Sequence, residues 1–401
     1  MSSLSEWIDR IKQFPGPGWL RTKRLTPPAE GGTLIVTHAE LSARHGTGAL
    51  LIRILRGEKK LVAFYSREFF KTHDIEVAAF PITHARDSLG AGRRRIRQLL
   101  NTNPIKRILC VPFYQDDVHS ALAAQAYTGA PLALYIMDDQ NIHVKEIPDS
   151  LMRQLIGKAS ICFAISSALC SAYAAKYRRK FWFVPPVADP ELFVPPGFTF
   201  EPHSPPRGIL IGNLWSSHTL NQFHETVRQA GFQIDWFGNA GQPFIELDSA
   251  ALAKDGISLH SHVPEPALIA SARNADFAVI PAGTLDGSDT HDWLARASLP
   301  SRIIYLMATA NVPMIVMGHP ETAAAKFVAG MKLGAVCDYS GESFRAAVKQ
   351  VTDPATMNGI RLRARTLSPT FSSQGLSNWL WDSLAQSKVV DERFESISLT
   401  T

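Results

Sequence analysis

Cysteine is nearly absent: Cys110, Cys162, Cys170 and Cys337 are the four in 401 residues, with no CxxC pair and no metal-ligand spacing. That argues against a disulfide scaffold or a zinc module, and the four read as reduced packing thiols of a cytoplasmic protein. Charge is sparse as well, at 19% of residues against 45% hydrophobic, which excludes an intrinsically disordered chain. Long apolar runs are missing. The nearest, SICFAISSALCSAYAAKY, is interrupted by serine too often for a membrane span. The opening MSSLSEWIDR lacks the basic, apolar and small-residue order of a secretory signal. No internal repeat of solenoid length is visible. What remains is a soluble or peripheral globular protein too long for one comfortable core, so two domains are expected. The net charge of +5 calls for no nucleic acid; an anionic small substrate or an anionic membrane surface would account for it as well.

What is present alternates. LSEWIDRIKQF has apolar residues at Leu4, Trp7, Ile8 and Ile11, a helical spacing that PGPG stops. GGTLIVTHAE reads as a strand and HGTGALLIRILRG as a glycine loop opening a helix; KKLVAFYS and KRILCVPF are further strands, with the basic helical GRRRIRQLLN before the second. PLALYIMDD is an apolar strand ending in two acids, followed by SLMRQLIGKA as helix, SICFAIS as strand and SALCSAYAAKY as helix. Eight prolines between Pro185 and Pro206 suit an extended linker. The alternation then resumes from RGILIGNLW to ESFRAAVKQV, and GLSNWLWDSLAQ adds a final amphipathic helix. The expected fold class is α/β, with two Rossmann-like doubly wound parallel-sheet domains facing a cleft. The expected division is residues 1–187 as the first domain, 188–207 as linker, 208–365 as the second domain, and 366–401 as a C-terminal helix crossing back to the first domain. Ligands of such sheets lie beyond the carboxyl ends of strands, and two such domains make the cleft the default site.

Several residues there invite chemistry. Arg302, in LPSRIIYLMATANVPMIVM, stands where a loop becomes a helix. An arginine in the first turn opposes the dipole and calls for a compensating anion, either a diphosphate gripped bidentately or a nearby carboxylate. HGTG offers Gly46, Thr47 and Gly48 between strand and helix, as a phosphate-approaching loop or as an ordinary tight turn. Asp138 and Asp139 follow a buried strand, either as a carboxylate that orients a substrate hydroxyl and takes its proton or as a cap of the next turn. His38, His84, His143, His262 and His291 share no ligand spacing, so no metal site is expected, although DGSDTHD does bring aspartates close together. Arg93, Arg94, Arg95 and Arg97, with Arg178, Arg179 and Lys180, read as solvated faces or as a patch for an anionic leaflet. The first helix either docks on the protein's own core or lies on the same membrane.

The order of these segments resembles GT-B-fold glycosyltransferases, above all the family 4 retaining group. ASLPSRIIYLMATANVPMIVM is similar to their PSK/R, tyrosine-leucine, small-residue and Pro-Val-Ile block. SHVPEPALIASARNADFAVIPAG is similar to the segment before it, and KASICFAISSALCSAYAAKYRRKFWFVPPVADPELF to the end of their first domain. RGILIGNLW resembles their second glycine turn, and together the matches run over about residues 155–345. The resemblance implies a nucleotide-diphospho-sugar donor, a glycan or lipid-linked acceptor, retention of configuration, and no metal or other cofactor. It implies donor contacts at the glycine loop, at Gly212 and Asn213, at His262 and Val263 near the base, at Gly283 near the sugar, and at Ser301, Arg302 and Tyr305. Asp138 matches an acid of the family's His-Asp pair, with Met137 in place of the histidine. Two features of the family are missing. Its paired glutamates have no counterpart between Gly283 and Arg302, where the acids are Asp286, Asp289 and Asp292, and GNLWSSHTLNQ lacks the usual phosphate-binding Arg and Lys. Arg302 is therefore expected to carry more of the phosphate charge. The resulting expectation is a metal-independent glycosyltransferase of cell-surface polysaccharide assembly, cytoplasmic and able to work at the inner membrane face. The rivals are a non-catalytic subunit and an epimerase of the same fold.

Overall fold

The computed structural model describes residues 27–84, 88–214, 216–238, 245–289 and 292–398. The helix read at LSEWIDRIKQF and His291 lie outside the described residues. The first half runs β1 (Gly32–Thr37), α1 (Gly46–Ile54), β2 (Leu61–Tyr65), β3 (Ala78–Pro81), α2 (Leu89–Thr102), β4 (Ile105–Cys110), α3 (Gln115–Thr128), β5 (Leu132–Ile136), α4 (Asp149–Lys158), β6 (Ile161–Ala164), α5 (Ser167–Tyr177) and β7 (Trp182–Phe183). The second runs β8 (Arg207–Ile211), α6 (Ser217–Ala230), β9 (Gln233–Phe237), α7 (Ser249–Lys254), β10 (Ile257–His260), α8 (Glu265–Arg273), β11 (Phe277–Pro281), α9 (Asp292–Ala297), α10 (Ser301–Ala310), β12 (Met314–Met317), α11 (Ala323–Gly330), β13 (Gly334–Cys337), α12 (Gly341–Thr352) and α13 (Pro354–Leu367). Helices α14 (Leu376–Gln386) and α15 (Glu395–Ser398) end the chain.

Every strand pairing is parallel. The first sheet has seven strands in the order β3-β2-β1-β4-β5-β6-β7 and the second has six in the order β10-β9-β8-β11-β12-β13. Central strands such as β1, β5 and β11 are buried along their whole length, as sheets covered by helices on both faces require. In both sheets the chain reverses its winding beside the first strand, between β1 and β4 and between β8 and β11. Crevices open at such switch points, beyond the carboxyl ends. The loops after β1, β4, β8 and β11 are thus the ones the fold offers to a ligand.

The proline-rich stretch is more ordered than a plain linker. It holds a short 3-10 turn at Pro190–Leu192, and Ala188 pairs with Ser372 from the chain's far end. Asp189 is a hub at this crossing: Ser373 Oγ donates to it at 2.6 Å, Arg56 at 2.6 Å, and Arg53 lies 3.8 Å away. Arg53 also reaches Glu265 of the second half at 2.9 Å and lies 5.1 Å from the Tyr305 ring.

Helix α14 docks on the first half. Trp379 packs on Phe163, while Ser377 Oγ and Trp381 Nε1 donate to Glu58 Oε1 at 2.7 and 2.8 Å. Arg107 donates to the other oxygen of Glu58 at 2.6 Å and lies over the Trp381 ring at 4.2 Å. Burial alone would raise the Glu58 pKa, but the Ser377 hydroxyl, the Arg107 charge and the remaining donors outweigh it and the pKa falls below its ordinary 4.5. Glu58→Gln should therefore cost about 2 kcal/mol, since it leaves buried donors underpaid. A lowered carboxylate pKa stabilises the fold above the unfolded value. The gap between wild type and variant in urea titrations should be full above pH 4.5 and shrink as pH falls through the folded value.

Candidate functional site

Helix α10 begins at Ser301 after Pro300, with no side-chain cap and no acid in its first turn. Arg302 extends from that turn to the loop after β8, where Nη1 donates to the carbonyls of Ile211 at 3.2 Å and Asn213 at 3.5 Å. Gly212, between them, has φ +97°, and a Cβ there would lie 3.2 Å from Nη1. Glycine thus lets the guanidinium lie along the turn. Among the described residues no carboxylate pairs with Arg302, and its buried Nε has no partner. Burial lowers its pKa to about 10, partly offset by Tyr339, so it stays charged at neutral pH. The alternative of an arginine tied to a neighbouring acid is not what the structure has.

The acids that replace the glutamate pair are occupied with their own loop. Asp292 is buried and accepts the N–H groups of Leu285 at 3.1 Å and Gly287 at 3.0 Å. Asp289 accepts the Thr219 hydroxyl at 3.0 Å. Asp286, bonded first to the Ser288 hydroxyl and then to its N–H and to Thr284, is held down to about 2. Gly283 packs against this knot: a Cβ on it would come within 2.7 Å of Asp292 Oδ1.

Not all expected donor residues gather at Arg302. The Tyr305 ring faces Arg53 at the interdomain crossing instead, and burial followed by the charge of Glu265 raises its pKa. His262 and Val263 follow the edge strand β10, two strands from β8, and His262 is exposed. Nearer to Gly212 is a pair that the sequence reading missed. Phe237 ends β9, its carbonyl accepts the Gly212 N–H at 2.9 Å, and its ring stacks on His260 at 4.5 Å with an interplanar angle of 12°. The signal was there: two flat side chains closing consecutive short apolar strands.

On the other lobe, His45 precedes α1 without capping it, and no acid enters the first turn. Gly46 is exposed with open space around its α-carbon, whereas Gly48 packs so closely that a Cβ would lie 2.4 Å from Ser42 O; Thr47 is buried. This loop is strapped to the one after β2. The Glu40 carboxylate accepts N–H groups from Phe69, Phe70 and Lys71, and Asp74 accepts from Ser42 and Ala43. Two imidazoles lie in this corner, His38 against Phe113 at 3.7 Å and His45 stacked on Phe69 at 5.6 Å. Burial keeps both below the usual histidine range, and each has an unpaired Nδ1. The sequence reading placed His38 among ordinary histidines, although it directly follows a fully buried strand.

The two acids after β5 divide the alternatives between them. Asp139 is the cap, accepting from Asn141 at 3.1 Å, Ile142 at 2.7 Å and His143 at 2.9 Å. Asp138 faces the Ser298 hydroxyl of the other lobe, and burial, with the Asp139 charge, raises its pKa to about 6. Around it the lobes touch: His143 stacks on Trp293 at 4.2 Å and Ser166 Oγ donates to the Ala297 carbonyl. Among the described residues no three His, Cys, Asp or Glu side chains converge as a metal would need, and no helix is long and apolar enough to cross a membrane. Because folding raises the Asp138 pKa from 3.8 to about 6, folding takes up a proton and the fold loses stability as pH climbs between those values. Asp138→Asn should remove that penalty, gaining about 3 kcal/mol at pH 7.5 and nothing near pH 4 in paired denaturation curves.

No protein-family model matches the sequence, and no curated protein matches it either. Solved structures do match in shape. The chain superposes on Anabaena HepE in complex with UDP and glucose with a TM-score of 0.65 at 13% identity, covering 88% of this chain and 99% of that one. Trehalose-6-phosphate synthase OtsA gives 0.60 at 10% identity over 88% and 98% of the two chains. A UDP-N-acetylglucosamine 2-epimerase gives 0.55 at 13% identity over 88% and 95%. At such identities what is shared is the fold: two Rossmann-like domains in the GT-B arrangement.

Proposed function

We propose that this chain transfers a sugar from a nucleotide-diphospho-sugar to a hydroxyl of a glycan or lipid-linked acceptor. The observation that carries the proposal is the buried guanidinium of Arg302 at the Gly212 turn, which has no carboxylate partner among the described residues and asks for an anion. A fold neighbour solved in complex with UDP and glucose supports a UDP-sugar as donor.

In this reading Arg302, the Ser301 hydroxyl and the amides of Gly46, Thr47 and Gly48 stabilise charge developing on the leaving diphosphate. Phe237 and His260 supply flat surface for the base, near the loop of His262 and Val263. Gly283 and the knotted loop after it meet the sugar. Asp138, with a pKa near 6, is ionised above neutral pH and accepts or orients the acceptor's proton. The counter-charge comes from the protein, so we read the transfer as metal-independent. Retention of configuration, a place in cell-surface polysaccharide assembly and work at the inner membrane face belong to the same proposal. The exposed Arg93, Arg94 and Arg95 and the half-exposed Phe69 support the last of these, since polybasic and aromatic surface favours an anionic leaflet.

Thermal shifts against UDP-, GDP-, dTDP- and CMP-sugars should single out one base. With that donor, product analysis separates the readings: a glycosylated acceptor supports transfer, a mass-neutral change an epimerase, and tight binding without turnover a scaffold. Arg302→Ala should weaken UDP binding about a hundredfold, the scale of a lost charge-assisted contact, and uridine binding by less than about threefold. Equal losses would remove the phosphate role. Asp138→Asn should cut transfer by about two orders of magnitude, as removal of a general base does, and leave donor affinity intact.

A further inference from the structure

The first turn of α6 is tied to the loop after β11 by two side chains. Thr219 Oγ1 donates to Asp289 at 3.0 Å, and His218 Nε2 meets Ser288 Oγ at 2.9 Å. The Ser288 hydroxyl proton is already committed, since Oγ donates to Asp286 Oδ1, and the neighbouring Thr284 hydroxyl donates to the same oxygen at 2.9 Å. His218 Nε2 is therefore the donor to Ser288, which fixes the imidazole in one tautomer. Nε2 keeps its hydrogen in both charge states. The proton that comes and goes sits on Nδ1, which has no hydrogen-bond partner among the described residues.

His218 is the second residue of α6, the helix that follows the Gly212 turn. The same turn receives Arg302 from the start of α10, with its buried Nε unpartnered among the described residues. Tyr339 donates to the Ala282 carbonyl at 2.8 Å and feels the charges of both Arg302 and Asp289, so the guanidinium and the loop that latches α6 meet on one ring. Neither α6 nor α10 carries an acid in its first turn, and both helix ends add positive potential. A neutral imidazole adds little to this. An imidazolium adds a full charge and, at Nδ1, a donor. An anion at the turn favours that charged form, so its binding takes up a proton.

The other charged groups nearby are largely committed. Asp286 acts on the imidazole through Ser288 and favours its charged form, whereas Arg302 opposes it. Asp289 is joined to Thr219, and Asp292 to the backbone of its own loop. After β13 stand Asp338 and Tyr339. Further along α6, Glu225 pairs with Arg228 and His224 with Asp255, and at its far end Arg345 of α12 bonds the Gln229 carbonyl.

We propose that His218 is a second contact for the donor diphosphate, beside Arg302, and that it makes donor affinity depend on pH, highest where the imidazole is protonated and falling as pH rises. The inference rests on reading the Gly212 turn as the diphosphate contact, and its test separates the two.

The test is calorimetry of the full chain with UDP-glucose between about pH 5.5 and pH 8. The diphosphate diester keeps its charge over that range, so a slope in affinity belongs to the protein. Wild type should bind about tenfold more tightly at the acid end, the worth of one charged contact, and its binding enthalpy near neutral pH should vary with the buffer because a proton is taken up. His218→Gln keeps an amide donor for Ser288 and should bind weakly with no slope. His218→Lys should bind tightly at every pH, a rescue that a merely structural latch would not give. The bond to Ser288 is exposed, so unliganded melting temperatures of both variants should stay near the wild-type value. A flat wild-type profile without proton uptake overturns the proposal. So does a slope that His218→Gln leaves in place, which would assign it to another histidine. Arg302→Ala decides the underlying reading: unchanged UDP-glucose affinity would take the diphosphate away from the turn, and both inferences would fall. Affinity lost in Arg302→Ala, together with a flat wild-type profile, strikes His218 alone.

Discussion

A buried positive charge that has no negative partner among the described residues is the constraint around which the second lobe is arranged. There the guanidinium of Arg302 is held by two backbone carbonyls, and desolvation pulls its pKa down to about 10 without discharging it. It also stands in the first turn of α10, where the helix end adds positive potential. A nearby aspartate would relieve this, and Asp286, Asp289 and Asp292 all belong to the preceding loop. Each is instead committed to a hydroxyl or to backbone N–H groups of that neighbourhood. Those acids are thus not spent on neutralising Arg302, a charge whose desolvation is completed by folding, which is what preorganisation means in electrostatic terms.

The loops at the cleft share a second device. Glu40, Asp139 and Asp292 are buried carboxylates that accept two or three backbone N–H groups from the loop beside them. Asp117 does the same for Phe113 and Tyr114, and there burial prevails over those bonds and raises its pKa to about 6. A loop wound round a carboxylate satisfies amides that would otherwise need water and loses less freedom on binding. Phe69, set on His45 by the loop that Glu40 holds, and His143, set on Trp293 by the loop that Asp139 holds, are thereby presented in fixed places.

Much of the architecture was legible because parallel strands buried on both faces are nearly continuous apolar runs. β1, β4, β5 and β11 stand out for that reason. The edge strand β3 is only half-buried and β10 mixes buried with half-exposed residues, so neither has a strong pattern, and both were missed. Helix α3 was missed because its apolar residues form no stripe, and α13 because the alternation had seemed complete at α12. Near the site, the place of Arg302 at a helix start was legible. Which of two adjacent aspartates caps and which faces the cleft was not, because it depends on the path of the following four residues. Tyr305 follows Arg302 by one helical turn, yet its long ring reaches the crossing residue Arg53 instead of the Gly212 turn. Spacing gives the face of a helix and leaves open how far along it a side chain reaches.

The contacts joining the lobes differ in kind from one end of the cleft to the other. At the crossing, Asp189 gathers Arg53, Arg56 and Ser373, and apolar packing runs on from the first sheet to α10 and α14. Those are buried, multiply bonded contacts, and removing one partner strands the others. Among the described residues, the rim carries an exposed stack, a hydroxyl on a carbonyl and a serine facing Asp138, which burial and the Asp139 charge hold at a raised pKa of about 6, so the contacts thin from the crossing to the rim.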